Sequence, residues 1–225
     1  MYKSFLVFPL LLLTGCLSDP AESIDEKKAA QQPAGVPEKA APTTQTGKVC
    51  DYEVKDAKPF WTAYKYTEKA AVGGTFNTFT VSKSKQAPNV MESMNNLSIE
   101  IDTSSVESNN PARNKTIADI YFAKFAPANV IKGKVVATEG DNKQGTMKIN
   151  LDMNGVAKDV DFKYDIKGEE LEATAVMDMM DFNLKGPFDA IHEACKALHT
   201  GTDGVAKTWT EVALKITAQV KVSCN

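Results

Sequence analysis

Residues 147–166 read Met147-Lys148-Ile149-Asn150-Leu151-Asp152-Met153-Asn154-Gly155-Val156-Ala157-Lys158-Asp159-Val160-Asp161-Phe162-Lys163-Tyr164-Asp165-Ile166. Before Asn154-Gly155, Met147, Ile149, Leu151 and Met153 alternate with Lys148, Asn150 and Asp152; after it, Val160, Phe162, Tyr164 and Ile166 alternate with Asp161, Lys163 and Asp165. A strand turns successive side chains to opposite faces, so a period of two with one oily phase marks a half-buried strand. Asn-Gly between two such runs suits the paired positive-φ positions of a type I′ turn, which makes the stretch an antiparallel hairpin.

The same texture extends in both directions. Leu97, Ile99 and Ile101 alternate with Ser98, Glu100 and Asp102; Val212, Leu214, Ile216, Ala218, Val220 and Val222 alternate with polar or small neighbours. Less regular runs at 60–66, 75–81, 130–138 and 171–178 raise the expected total to about eight strands. Gly73-Gly74 and Lys167-Gly168 read as further hairpin turns. One dry face per strand requires an antiparallel sheet closed over its own interior, as a sandwich or a barrel. The expected class is all-β, with a sandwich and an eight-stranded antiparallel barrel both open; a closed barrel of that size has an interior that side chains can fill or that can hold one small ligand. Two segments break the period: residues 113–125, with Ile117, Ile120, Tyr121 and Phe125 at helical spacing, and residues 187–198, with Phe188, Ile191, Cys195 and Leu198. Both read as short helices acting as plugs or lids.

Lys3, an apolar run over residues 5–13 and Leu13-Thr14-Gly15-Cys16 have the order of a secretory peptide. The apolar run is about half of the ~20 residues a spanning helix needs. Leu-x-Gly-Cys matches a bacterial lipobox, so residues 1–16 are expected to be a lipoprotein signal peptide ending at a lipidated Cys16. Leu17, not aspartate, follows, which in the best-known sorting scheme favours the outer membrane. The expected location is therefore the cell envelope, lipid-anchored and facing the periplasm. Residues 17–48, rich in Ala, Pro, Gln, Glu and Lys, are too polar to offset ordering entropy and are expected to form a disordered tether. Residues 49–225 remain for one domain.

Net charge is −3 with acids and bases interspersed, which lacks the basic stripe that a phosphate backbone demands; nucleic acid is not an expected partner. There is no Gly-x-Ser-x-Gly elbow, dinucleotide fingerprint or phosphate loop; residues 201–208 end in Lys207-Thr208 without the preceding glycine. No catalytic residue and no cofactor is expected. His192, Cys195 and His199 lie near one helical stripe, but Lys196 stands where a zinc protease motif needs its second histidine, and three ligands along one helix reach a single ion awkwardly. No metal site is assigned. With Cys16 acylated, Cys50, Cys195 and Cys224 remain, an odd set for an oxidising compartment. One disulfide plus one free thiol is the simplest account. Cys50–Cys195, pinning the second helix to the first strand, is preferred; Cys50–Cys224, joining the first and last strands of a closed barrel, is the alternative.

Several runs together point to a family. Trp61-Thr62-Ala63-Tyr64-Lys65 followed by Val72-Gly73-Gly74-Thr75-Phe76, Arg113-Asn114-Lys115 leading to Tyr121-Phe122, residues 154–160 as a central hairpin and Met177-Asp178-Met179-Met180-Asp181-Phe182 after it resemble, in order and spacing, the YceI-like domain. The resemblance covers residues 50–222. It implies an extended lipocalin-type barrel with an apolar channel for an isoprenoid or similar amphiphile. Val130-Ile131-Lys132-Gly133-Lys134-Val135 departs from the family's usual strand after the first helix, and residues 192–209 look like a subgroup elaboration. Arg113 and Asp119, which match the family's motif, are expected to pair and position the first helix.

Phe76, Phe79, Ile99, Ile101, Met147, Ile149, Phe162, Tyr164, Met177 and Leu214, with Ile117, Tyr121 and Phe122 on the first helix, are the candidate ligand-binding residues. Unbranched methionines among them suit a wall that adapts to a flexible chain. The expected partners are a lipid-like molecule, a polyprenyl or quinone-type chain, and the membrane through the anchor; a homodimer is left open. The competing expectation is a solid β core serving as a protein–protein adaptor in the envelope.

Overall fold

A computed structural model describes residues 48–127 and 129–225; the expected signal peptide with Cys16, and all but the last residue of the expected tether, lie outside them. Within them, the chain forms β1 (Cys50–Lys65), β2 (Ala70–Phe76), β3 (Phe79–Val81), α1 (Val90–Met94), β4 (Ser98–Asp102), β5 (Val106–Glu107), α2 (Pro111–Thr116), β6 (Val130–Gly140), β7 (Gln144–Met153), β8 (Val156–Lys167), β9 (Glu170–Asp178), α3 (Lys185–Cys195) and β10 (Glu211–Cys224). The strands make one antiparallel sheet in the order β3-β4-β6-β7-β8-β9-β10-β1-β2-β5. No helix among the described residues is long and apolar enough to cross a membrane.

Ten strands reconcile with eight positions through two interruptions. β2 runs into β3 across Asn77-Thr78, and β4 into β5 across the short 3-10 turn Thr103–Ser105. The two bent paths pair with each other along their length. Phe76 stands opposite Val106 and Phe79 opposite Ile101. Between them, Asn77 N–H donates to the Ser105 carbonyl (2.9 Å) and Asp102 N–H to the Thr78 carbonyl (3.1 Å). Each interrupted path counts as one position, so the sheet closes on itself as an eight-position barrel.

The deciding hairpin forms as read. Met153 stands opposite Val156, and Asn154 and Gly155 both have positive φ (54° and 72°). Ile149, Leu151, Met153, Phe162, Tyr164 and Ile166 are buried, while outward Lys148 pairs with Asp161 across the strands at 3.5 Å, an exposed contact worth little. Gly168 takes positive φ (65°) at the β8–β9 turn. Gly73-Gly74, however, is not a turn. Both lie inside β2, and the chain reverses at residues 66–69, where Tyr66 and Lys69 take positive φ. A Cβ on Gly74 would sit 2.5 Å from the Trp61 ring and against the Glu107 carbonyl oxygen, so Gly74 gives the indole room instead of turning the chain.

The two ends of the barrel differ. At one, α1 plugs the interior with Val90 and Met94, 0 % and 1 % exposed. Asn89 caps it, its side-chain oxygen accepting from Glu92 N–H at 2.8 Å and its side-chain amide donating to the Glu92 carboxylate at 2.7 Å. At the same end a disulfide joins Cys50 to Cys224. The preferred Cys50–Cys195 pairing is thus corrected: β1 and β10 are hydrogen-bonded neighbours with Cys50 opposite Cys224, whereas Cys195 is free on α3, the helix of the other end. That other end is capped by α2 and its continuation through Lys124, and by α3 with residues 196–199. Arg113 and Asp119 do not pair. Arg113 donates to the Ser108 hydroxyl (2.9 Å) and carbonyl (3.0 Å), and Asp119 accepts from Lys115 one turn away.

Candidate functional site

Between the plugged end and the helical cap the barrel is hollow. A cavity of about 590 Å3 lies under α2 and α3, within the range of small-molecule sites, about 300–1,000 Å3. A second void of about 60 Å3 lies deeper, against Met94, Val135 and Met147. Ile99, Ile149 and Ile216 line both and form the floor of the larger one. Gly133 belongs to this layer. A Cβ there would come within 3.1–3.3 Å of Ile99, Leu151 and Ile149, so the missing side chain lets branched residues from the two neighbouring strands close over β6.

The walls come mostly from strands with one inward phase. Ile99 and Ile101 on β4, Ile149 on β7, Phe162 on β8, Met177 on β9, Leu214 on β10 and Phe76 on β2 face the large cavity, as do Ile117, Tyr121 and Phe122 above them. Three candidates do not. Met147 lines the small void. Tyr164 belongs to the closed end, its hydroxyl donating to the Asp141 carbonyl at 2.8 Å and its ring packed by Gly140 and Gly145, where a Cβ would clash with it. Phe79 packs against the core but not on either cavity; Asn77 and Thr78 are both exposed, which resets the alternation between Phe76 and Phe79.

The structure adds residues that the sequence reading passed over. Leu151 and Met153 share the phase of Ile149, and Val212 and Ile216 that of Leu214; all four face the cavity, and extending the alternation would have found them. Trp61 and Trp209 also line it, their indole N–H groups donating to the carbonyls of Thr75 (3.3 Å) and Tyr66 (2.7 Å). No periodicity marks either one.

The cap is aromatic. Tyr121, Phe122 and Phe125 pack edge-to-face with centroids 5.0–5.3 Å apart, a favoured geometry. After α2, residues Ile117–Tyr121 form a π turn; Ile117 and Tyr121, four residues apart, share its inward face. The Tyr121 hydroxyl donates to Met179 Sδ at 2.9 Å, and burial holds its pKa well above the usual phenol value. From α3 and the segment after it come Ile191, Cys195, Leu198 and His199, with Leu198 71 % exposed at the rim. Burial raises the Cys195 thiol pKa, against a weaker opposite pull from Lys65. His192 and His199 are tied together through Thr208: the Nδ1 atoms lie 3.0 Å and 2.8 Å from its hydroxyl oxygen. Burial first, then the charges of Lys65 and His192, lowers the His199 pKa below its usual 6.5.

Nothing in this arrangement pairs a nucleophile with a base and an orienting acid. It can enclose an apolar chain and meet a polar group at the mouth.

Comparison with known proteins agrees with the architecture. No curated protein matches the sequence. Among solved structures, the chain is similar to a polyisoprenoid binding domain from Saccharophagus degradans implicated in plant cell wall breakdown, with 13 % identity, TM-score 0.52, and 79 % of this chain and 100 % of that one covered. It is also similar to the YCEI protein of Campylobacter jejuni (19 % identity, TM-score 0.49, 72 % and 89 % covered) and to BcnA of Burkholderia cenocepacia (14 % identity, TM-score 0.47, 73 % and 96 % covered). At such identities the first match speaks for the lipocalin-type fold alone. The family model of the YceI-like domain matches residues 52–221, nearly the whole barrel, and the chain belongs to the YceI-like domain family.

Proposed function

We propose that this protein is an envelope lipoprotein, acylated at Cys16 and facing the periplasm from the outer membrane, whose barrel holds one isoprenoid or other amphiphilic lipid for transport or sequestration. A polyprenyl or quinone-type tail suits the site. Binding is non-covalent and involves no catalytic step. The observation that carries the reading is the hollow of about 590 Å3 with its apolar wall of isoleucine, leucine, methionine and aromatic side chains. At about 0.8 kcal/mol per buried CH₂, ten methylenes would contribute roughly 8 kcal/mol before ordering costs. The fold neighbour from Saccharophagus degradans, described as a polyisoprenoid binding domain, adds support. A solid-core adaptor is disfavoured by the same hollow.

The test is organic extraction of the purified protein, expressed in a bacterium with its own leader, followed by mass spectrometry. A near-stoichiometric long-chain species is expected. A lipid-free extract, together with no uptake of added prenol, would refute the carrier reading. Anchoring is tested separately: palmitate labelling of the wild type, its loss in Cys16→Ala, and release of that variant from the membrane fraction are expected.

A further inference from the structure

Acids and bases are nearly balanced over the chain, 29 against 26. The cavity wall is not: it includes Lys65, Arg113 and Lys215 and, among the described residues, no aspartate or glutamate. Lys215 reaches to Glu172 at 3.6 Å. Lys65 and Arg113 form no ion pair among the described residues. Both are only partly exposed. Lys65 Nζ rests 4.5 Å above the Tyr66 ring, and Arg113 uses two of its nitrogens on Ser108, which leaves part of its five-donor fork unused.

Acids close to the mouth in sequence or space are committed elsewhere. Glu211 holds Lys69 (3.0 Å), Asp203 accepts from Thr67 (2.7 Å), and Asp178 from Thr210 (2.9 Å). The nearby histidines sharpen the pattern. The single hydroxyl proton of Thr208 can go to only one of the two Nδ1 atoms that face it. The neutral ring that accepts there carries its proton on Nε2 and so presents a donor. Lys65 pairs with Thr208 in an isolated antiparallel bridge, and Thr208 touches both histidines, so these groups share one side of the mouth. Half-buried cations without counter-charge, beside an apolar wall, favour an arriving anion.

We propose that the helical mouth is a subsite for an acidic head group, a carboxylate or a phosphate oxygen, held by Lys65, Arg113 and the His199–Thr208 pair while the tail fills the apolar interior. The inference rests on the cavity being a lipid site and adds the chemistry of the head.

Trp61 and Trp209 are the chain's two tryptophans and both line the cavity, so their fluorescence reads binding directly. Delipidated protein is titrated with hexadecanoic acid against hexadecanol, and with farnesyl monophosphate against farnesol. The acid-headed member of at least one pair should bind about tenfold more tightly, about 1.4 kcal/mol, with the margin shrinking as salt rises. Which pair shows it distinguishes a carboxylate ligand from a phosphate one. In Lys65→Gln/Arg113→Gln the margin between acid and alcohol should vanish, with a urea melt reporting an intact barrel; an undiminished margin in a folded double variant overturns the assignment to these two residues. Equal affinity of acid and alcohol in both pairs for wild-type protein overturns the head-group subsite and leaves the lipid reading standing. Failure of all four probes to bind overturns both. The wild-type comparison and its salt dependence need no variant, so they decide the matter even if the double variant does not fold.

Discussion

Ile149→Phe tests whether the cavity is a tail channel with a floor. Ile149 is 4 % exposed and belongs to the layer shared by the two voids. The added carbons cannot spread sideways, because even a Cβ on Gly133 would press on Ile149 at 3.3 Å. The ring has the void of about 60 Å3 on one side and the cavity of about 590 Å3 on the other; turned into the larger cavity it shortens it from the bottom, whereas turned into the small void it leaves tail affinity unchanged at every length. Phenylalanine has three more side-chain carbons than isoleucine. Displacing about three tail methylenes at ~0.8 kcal/mol each removes roughly 2.4 kcal/mol, about fiftyfold in affinity. The loss falls only on tails long enough to reach the floor. Titrating saturated acids of increasing length by tryptophan fluorescence should give coincident curves for wild type and variant at short lengths and a divergence at long ones. Overpacking at such a site costs about 1–3 kcal/mol of stability, and a urea melt separates that from binding. A uniform loss at every chain length, with an unchanged melt, would refute the idea that the tail lies along the barrel with its end at Ile149.

Reducing the Cys50–Cys224 bridge, which spans 174 residues, should lower stability by up to about 5 kcal/mol in the chain-entropy model, commonly less in practice; denaturant melts of Cys224→Ser read this, and Cys195→Ser should leave the midpoint unchanged. Gly74→Ala should destabilise the barrel by at least about 1–3 kcal/mol, since its Cβ would meet the Trp61 ring at 2.5 Å; a thermal melt equal to wild type would contradict the close approach of β2 to the indole. His199, with a pKa lowered in the folded state by burial, Lys65 and His192, binds its proton more readily when the chain is unfolded. Its contribution therefore makes the fold less stable as pH falls from about 6.5 toward and below the lowered folded value. Melting midpoints between pH 8 and pH 5 should fall more steeply for wild type than for His199→Gln; parallel slopes would remove His199 as the cause.

Strand identity was legible because each strand buries one face, and a period of two imprints itself on any residue pair that obeys it. Met147 through Ile166 carried enough of that pattern, with Asn154-Gly155 between, to place a hairpin. The inward phase also carried most of the cavity wall, from Ile99 and Ile101 to Leu214. The pattern fails where the backbone leaves the ladder. Asn77-Thr78 resets the phase and sends Phe79 away from the hollow. α1 is short enough that only its capping residues, Asn89 and Glu92, announce it. Gly73-Gly74 shows the opposite error. Glycine permits a turn or a close contact, and only the neighbouring strand reveals that Trp61 needs the space.

Alternation, turn chemistry and family motifs thus determined that the described chain is a closed antiparallel barrel with one oily lining, since each of those signals is local and survives without knowledge of what lies opposite. Tertiary structure alone decided that the lining stays apart above Ile99, Ile149 and Ile216 and closes below them, that Cys50 meets Cys224, and that Lys65 and Arg113 share one cavity with His199 and Thr208. These are distances between residues far apart in sequence. They depend on how the sheet curls and where the helices settle, which no periodicity encodes.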